Sequence, residues 1–159
     1  MISYIFIMKN TKALLGAGCF WGVEEIFRKI KGVKDTKVGY AGGSLHNPTY
    51  KDVCSDNTGH AEVVQIMWDN KIISYEKILE HFWLCHDPTE LNRQGNDIGS
   101  QYRSIIFYFD YLQKIIAERS KTNFQKKISN KIVTEITKYT SFYYAEDYHQ
   151  LYIKKIEGR

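Results

Sequence analysis

Apolar and polar positions along the chain fall into short, separated runs. Lys12–Ala17 is a compact apolar stretch bounded by glycine, the pattern of a buried strand. Beyond Gly18-Cys19, residues Val23, Ile26, Phe27 and Ile30 recur at helical spacing within 21–31, and Gly32 ends that helix. Positions 33–40 read as a second strand. Positions 41–60 are rich in Gly, Asn, Ser and Thr and predict a long loop, a feature that compact domains keep for function or leave disordered. Ala61–Trp68 alternates as a third strand, and Tyr75–Leu84 predicts a helix behind Ser74 as N-cap. A second polar loop covers 86–99, a fourth strand 102–109, and Asp110 caps a long helix to about Lys127. A short strand is expected at 132–136. The aromatic tail Phe142-Tyr143-Tyr144 leads into an expected helix over 146–156.

The main elements run strand, helix, strand, strand, helix, strand. That is the split order of a ferredoxin-like α/β sandwich of the α+β class, with long functional loops. A fold of this kind does not by itself name an activity.

Composition narrows the class. The 159 residues suit one domain, and 43% hydrophobic with 25% charged residues is ordinary for a globular chain. Twelve tyrosines and three tryptophans must serve packing or a site. The net charge of +4 is spread along the chain, so no nucleic-acid partner is expected. The apolar run at 2–8 is too short to span a bilayer and lacks the flanks of a signal peptide. It is expected to be an edge strand or an added extension. Residues 1–11 then form an N-terminal extension and 12–159 one catalytic domain, cytoplasmic, monomeric and without a membrane partner. Cys19, Cys54 and Cys85 are too few for a disulfide scaffold and form no CxxC pair, so reduced thiols are expected.

The chemistry concentrates at Gly18-Cys19-Phe20-Trp21-Gly22. A cysteine here stands where a strand gives way to a helix. The N–H groups of the first turn would favour its thiolate. Glycines on either side permit a tight turn and close approach of a substrate, and Phe20 and Trp21 could wall an apolar pocket. Free cysteines are commonly buried and inert, so the spacing alone does not decide between packing and reactivity.

The same string resembles the active-site signature of peptide methionine sulfoxide reductases of the A type. The resemblance continues in order through Val38-Gly39-Tyr40-Ala41-Gly42-Gly43, Asn47-Pro48-Thr49-Tyr50, Thr58-Gly59-His60-Ala61-Glu62 and His86-Asp87-Pro88. It extends through Arg93-Gln94-Gly95-Asn96-Asp97-Ile98-Gly99, Gln101-Tyr102-Arg103-Ser104 and the stretch from Phe142 to Gln150. It implies that Cys19 attacks the sulfur of a methionine S-sulfoxide, free or in a protein, and becomes a sulfenic acid. By the same resemblance Phe20 and Trp21 hold the substrate methyl group. Glu62, Tyr50 and Tyr102 hydrogen-bond the sulfoxide oxygen, Glu62 being protonated, and Asp97 shapes the site. No cofactor is implied. Many relatives carry resolving cysteines in a C-terminal tail, whereas no cysteine follows Cys85 here. Cys54 and Cys85 are not expected to resolve Cys19 efficiently. Thioredoxin, glutaredoxin or a small thiol is the expected reductant.

Two rivals are weaker. His60-Ala61-Glu62 matches half of the zinc deaminase signature, but the Pro-Cys-x-x-Cys half is missing. A thiol sensor would need Cys19 but neither a methyl pocket nor an oxygen cradle.

Overall fold

The computed structural model describes residues 11–158; the strand or extension expected at 2–8 lies outside them. Four strands form the centre: β1 (Lys12–Ala17), β2 (Val33–Ala41), β3 (Ala61–Trp68) and, later in the chain, a strand at Ser104–Tyr108. Helix α1 (Phe20–Arg28) joins β1 to β2, and α2 (Tyr50–Cys54) lies between β2 and β3. Helix α3 (Tyr75–Leu84) follows β3. A small hairpin of β4 (Arg93–Gln94) and β5 (Asp97–Ile98) and a 3-10 turn at Ser100–Tyr102 lead into the Ser104–Tyr108 strand, β6. Then come α4 (Tyr111–Gln125), β7 (Glu135–Lys138), β8 (Phe142–Tyr144), a 3-10 turn at Asp147–His149 and α5 (Tyr152–Glu157).

The sheet runs β7-β6-β1-β3-β2-β8, with antiparallel neighbours except the parallel β6–β7 pair. Strand alternation sends Ala13, Leu15 and Ala17 to one face and Leu14 to the other. The first face carries the main core, where Val23 and Phe27 of α1, Ile78, Leu79 and Phe82 of α3, and Ile116 of α4 close over the strands. The second face holds a smaller cluster around Leu14, Val63, Ile105 and Phe107. The protein is a mixed α+β fold. Among the described residues no helix is long and apolar enough to cross a membrane.

Several expectations change. Helix α1 stops at Arg28, with Lys29 as its C-cap, rather than running on to Gly32. The strand expected at 102–109 is β6, and Tyr102 belongs to the 3-10 turn before it. The 41–60 loop contains α2, whose start is fixed by reciprocal bonds between Thr49 and Asp52: Asp52 N–H donates to Thr49 Oγ1 at 3.1 Å and Thr49 N–H to Asp52 Oδ2 at 2.9 Å. The late strand begins at Glu135 rather than 132, because Ile132 plugs the core and its N–H is taken by Gln125 Oε1 at 2.9 Å. The tail helix is confined to α5. Leu151 lies in the left-handed region (φ 53°), where its N–H donates to Glu24 Oε1 at 2.7 Å instead of continuing a helix.

Candidate active site

Cys19 is the N-cap residue of α1, directly after the end of β1. Gly18 makes that junction possible. Its φ is 97°, and a Cβ there would come within 2.9 Å of Gln94 Cγ in the covering hairpin. The N–H groups of Trp21 and Gly22 face the half-buried sulfur, as the helix start predicts. They do not produce a thiolate. Burial outweighs them, and with the Glu62 and Asp97 carboxylates pushing the same way the thiol is driven up to about 11. The pull of the helix-start donors toward the thiolate is present as expected, but desolvation exceeds it.

Glu62 is near Cys19 because of sheet register. Leu15 pairs with Val64, so continuing two residues brings Ala17, just before Gly18-Cys19, opposite Glu62. A glutamate at a strand start is ordinarily solvated, but this one is only 1% exposed. Its Oε1 accepts the Phe20 N–H at 3.1 Å. That bond favours the ionised form, yet burial dominates and the neighbouring Asp97 charge adds to it, raising the carboxyl to about 7.

Tyr50 opens α2, and Tyr102 closes the 3-10 turn before β6. Burial raises both hydroxyls; that of Tyr50 also feels Cys54, and that of Tyr102, pushed up to about 12, feels Glu62, Cys54, Asp97 and Cys19. Both are therefore protonated donors at neutral pH. Asp97 sits exposed on β5, close enough for its charge to act on Cys19, Glu62 and Tyr102. Phe20 is buried against Tyr40 and His149, with ring centroids at 5.8 and 5.2 Å, while Trp21 remains half-buried. The structure thus brings the seven residues singled out in the sequence to one end of the β1–β3 pair.

It also adds residues that the sequence did not single out. The Trp21 ring stacks on Tyr152 at 3.9 Å, and its Nε1–H donates to Nδ1 of the fully buried His149 at 2.9 Å. Glu146 takes the Tyr40 hydroxyl on Oε1 at 2.9 Å and the Tyr50 N–H on Oε2 at 3.0 Å. All three partners lie in the aromatic, polar tail, whose composition alone gave no reason to place it beside Cys19.

The other candidates for metal or thiol chemistry are otherwise engaged. His60 accepts the Gly43 N–H on Nδ1 at 3.0 Å, which leaves Nε2–H to donate to the Leu45 carbonyl at 2.7 Å. Gly43 must be glycine for this fold-back, since a Cβ would lie 2.3 Å from the Thr58 carbonyl. His86 bridges the Phe82 carbonyl and Ser104 Oγ, each at 2.7 Å, and burial lowers its pKa to about 4. The half-buried Cys85 thiol is pushed up to about 12 by desolvation and donates to the Phe82 carbonyl at 3.2 Å. Among the described residues no group of three or more His, Cys, Asp or Glu could hold a metal ion.

Residues 11–159 match the family model described as peptide methionine sulfoxide reductase. The chain belongs to that family. A peptide methionine sulfoxide reductase MsrA of Saccharolobus solfataricus is 55% identical over 143 residues, 90% of this chain and 81% of the relative. The reduced form of Mxr1 from Saccharomyces cerevisiae superposes with a TM-score of 0.88 at 38% identity, covering 93% of this chain and 86% of Mxr1. Mxr1 in complex with Trx2 matches with a TM-score of 0.62 at 28% identity, covering 94% and 91%.

Proposed function

We propose that this chain is a thiol-dependent peptide-methionine (S)-S-oxide reductase that repairs oxidised methionine. One observation carries the mechanism: a carboxyl group poised near neutrality, Glu62, stands beside a cysteine at a helix start. Cys19 is the nucleophile. Its sulfur bonds to the sulfoxide sulfur while Glu62, Tyr50 and Tyr102 donate hydrogen bonds to the oxygen. Glu62 gives up a proton as charge develops there and recovers the one that leaves the Cys19 thiol. The oxygen passes to Cys19 and the thioether departs, so thiol plus sulfoxide becomes sulfenic acid plus thioether. Two electrons move from the cysteine sulfur to the substrate sulfur, and no cofactor is required. Trp21 and Phe20 hold the methyl group, and Asp97 at the open rim orients the rest of the substrate.

One thiol then converts the sulfenic acid to a mixed disulfide with loss of water, and a second releases Cys19. The likeness to Mxr1, which forms a complex with Trx2, supports thioredoxin in this role, with glutaredoxin or a small thiol as alternatives. We also read 12–159 as a single monomeric catalytic domain. The β6-β1-β3-β2 order with antiparallel neighbours supports the ferredoxin-like description.

Turnover of each methionine sulfoxide epimer with dithiothreitol tests the proposal. The S epimer alone is expected to be consumed, and Cys19→Ser is expected to abolish its reduction. An inactive wild type whose Cys19 still reacts with peroxide would replace the reductase with a sensor.

A further inference from the structure

Helix α2 has only five residues and lies between two loops, too short to hold its own position. Thr49 and Asp52 define where it begins, but both belong to the same segment and cannot fix it against the sheet. Val53 seats the helix in the main core and the Tyr50 ring packs on His149 at 4.6 Å, while the polar tie at the helix start comes from Glu146. One of its carboxylate oxygens accepts the N–H of Tyr50, the first helical residue, at 3.0 Å. The other accepts the hydroxyl of Tyr40 at 2.9 Å, and Tyr40 is fully buried on β2, opposite Glu62 in register. A carboxylate at a helix start is favoured by the unpaired N–H groups there, and bonds to an ionised acceptor are the stronger kind. Glu146 is itself held by the chain around it. Ala145 N–H donates to the Val38 carbonyl at 3.0 Å, and the Gln150 amide takes the Val38 N–H and donates to the Val38 and Ala145 carbonyls.

We infer that Glu146 is the positioning residue for Tyr50, setting the distance from its hydroxyl to the sulfoxide oxygen by clamping the start of α2 to Tyr40. The inference rests on Tyr50 acting at that oxygen. Glu146 bonds the Tyr40 hydroxyl and the Tyr50 N–H, and it acts through the backbone of Tyr50. An amide in its place keeps the shape but offers one good acceptor and turns N–H donors toward the other partner.

A double-mutant cycle on S-sulfoxide turnover tests this. Glu146→Gln is expected to lower kcat by about ten-fold or more with little change in KM, since a small displacement of a catalytic group is felt in the reacting complex. In a Tyr50→Phe background the same substitution is expected to cost almost nothing further. In a Tyr102→Phe background it is expected to cost its full amount. A merely structural lesion depresses both backgrounds alike, and that result overturns the inference while leaving the role of Tyr50 intact. Equal kcat for wild type and Tyr50→Phe overturns the role of Tyr50 and this inference with it. Should Glu146→Gln fail to fold, Tyr40→Phe frees one carboxylate oxygen from its anchor at nearly constant volume. It is expected to lower kcat in a Tyr50-dependent way, and a loss independent of Tyr50 counts against the inference.

Discussion

Trp21 donates its indole N–H to Nδ1 of His149 at 2.9 Å, across 128 positions of sequence. The bond fixes the imidazole as the tautomer with its proton on Nε2, and burial lowers its pKa, which keeps it neutral. It also fixes the indole in its own plane, while Tyr152 stacked at 3.9 Å fixes it from one face. Replacing His149 by Phe removes the acceptor and leaves a part-buried N–H unpaired, at a cost of about 1–3 kcal/mol. His149→Phe is expected to raise KM for the S-sulfoxide on the order of ten-fold, with kcat less affected. His149→Asn places an amide oxygen near Nδ1 and is expected to recover much of the loss. Steady-state kinetics of the pair check this, and equal KM values in both variants would argue against the bond as the cause.

Glu62 couples stability to pH. Its folded pKa is about 7 against an ordinary 4.5. Below 4.5 the carboxyl is protonated whether folded or unfolded and carries no penalty. Between 4.5 and 7 only the unfolded chain ionises, so stability falls as pH rises; above 7 the penalty is complete, up to roughly 3 kcal/mol. Glu62→Gln is therefore expected to be more stable than wild type at pH 8, with the gain vanishing toward pH 4. Urea titrations at the two pH values measure it. With Glu62 as the proposed acid, the same pKa is expected to make wild-type turnover fall as pH rises through about 7.

The Cys19 thiol titrates near 11 chiefly because it is buried, with Glu62 the larger of the two nearby carboxylate contributions. Alkylation by iodoacetamide is expected to be slow at pH 7 and to climb through pH 10, since the thiolate is the nucleophile. Glu62→Gln removes one of the raising charges and is expected to move the midpoint down. Mass spectrometry of the alkylated Cys19 peptide against pH reads both outcomes, and a midpoint below 8 in wild type would contradict the buried-thiol account.

Local signals in the sequence locate β1, β3 and α3 well, because each carries a strong period and, for α3, the Ser74 cap; α1 is found by its period, but it stops at Arg28, short of the Gly32 expected to end it. The Thr49-x-x-Asp52 box marks the start of α2 in the sequence, but the Gly, Asn, Ser and Thr around it outweigh a five-residue helix. That the seven site residues gather at Cys19 is expected from family resemblance rather than from physics, since a buried Glu62 looks in sequence like any strand-start carboxylate. The raised Cys19 pKa is hidden for a similar reason: the helix-start donors that favour the thiolate are visible in sequence, whereas the desolvation that outweighs them depends on how α1, β3 and the hairpin close together. His149 and Glu146 were invisible because their partners, Trp21 and Tyr50, lie about a hundred residues away.

The remaining cysteines differ in what they can do after turnover. Cys85 is held by its bond to the Phe82 carbonyl, and burial pushes its thiol up to about 12, so almost none is ionised at neutral pH. Disulfide formation with a sulfenic acid needs an attacking thiolate that can reach it. Cys54 is exposed on the last residue of α2, near Tyr50 and Tyr102. We predict that neither resolves Cys19 and that the sulfenic acid waits for an external thiol. After one turnover without reductant, dimedone is expected to label Cys19 nearly stoichiometrically, and Cys54→Ser and Cys85→Ser are expected to leave the yield unchanged. Rapid loss of labelling in wild type, restored by Cys54→Ser, would instead identify Cys54 as a resolving cysteine and make thioredoxin reduce a Cys19–Cys54 disulfide.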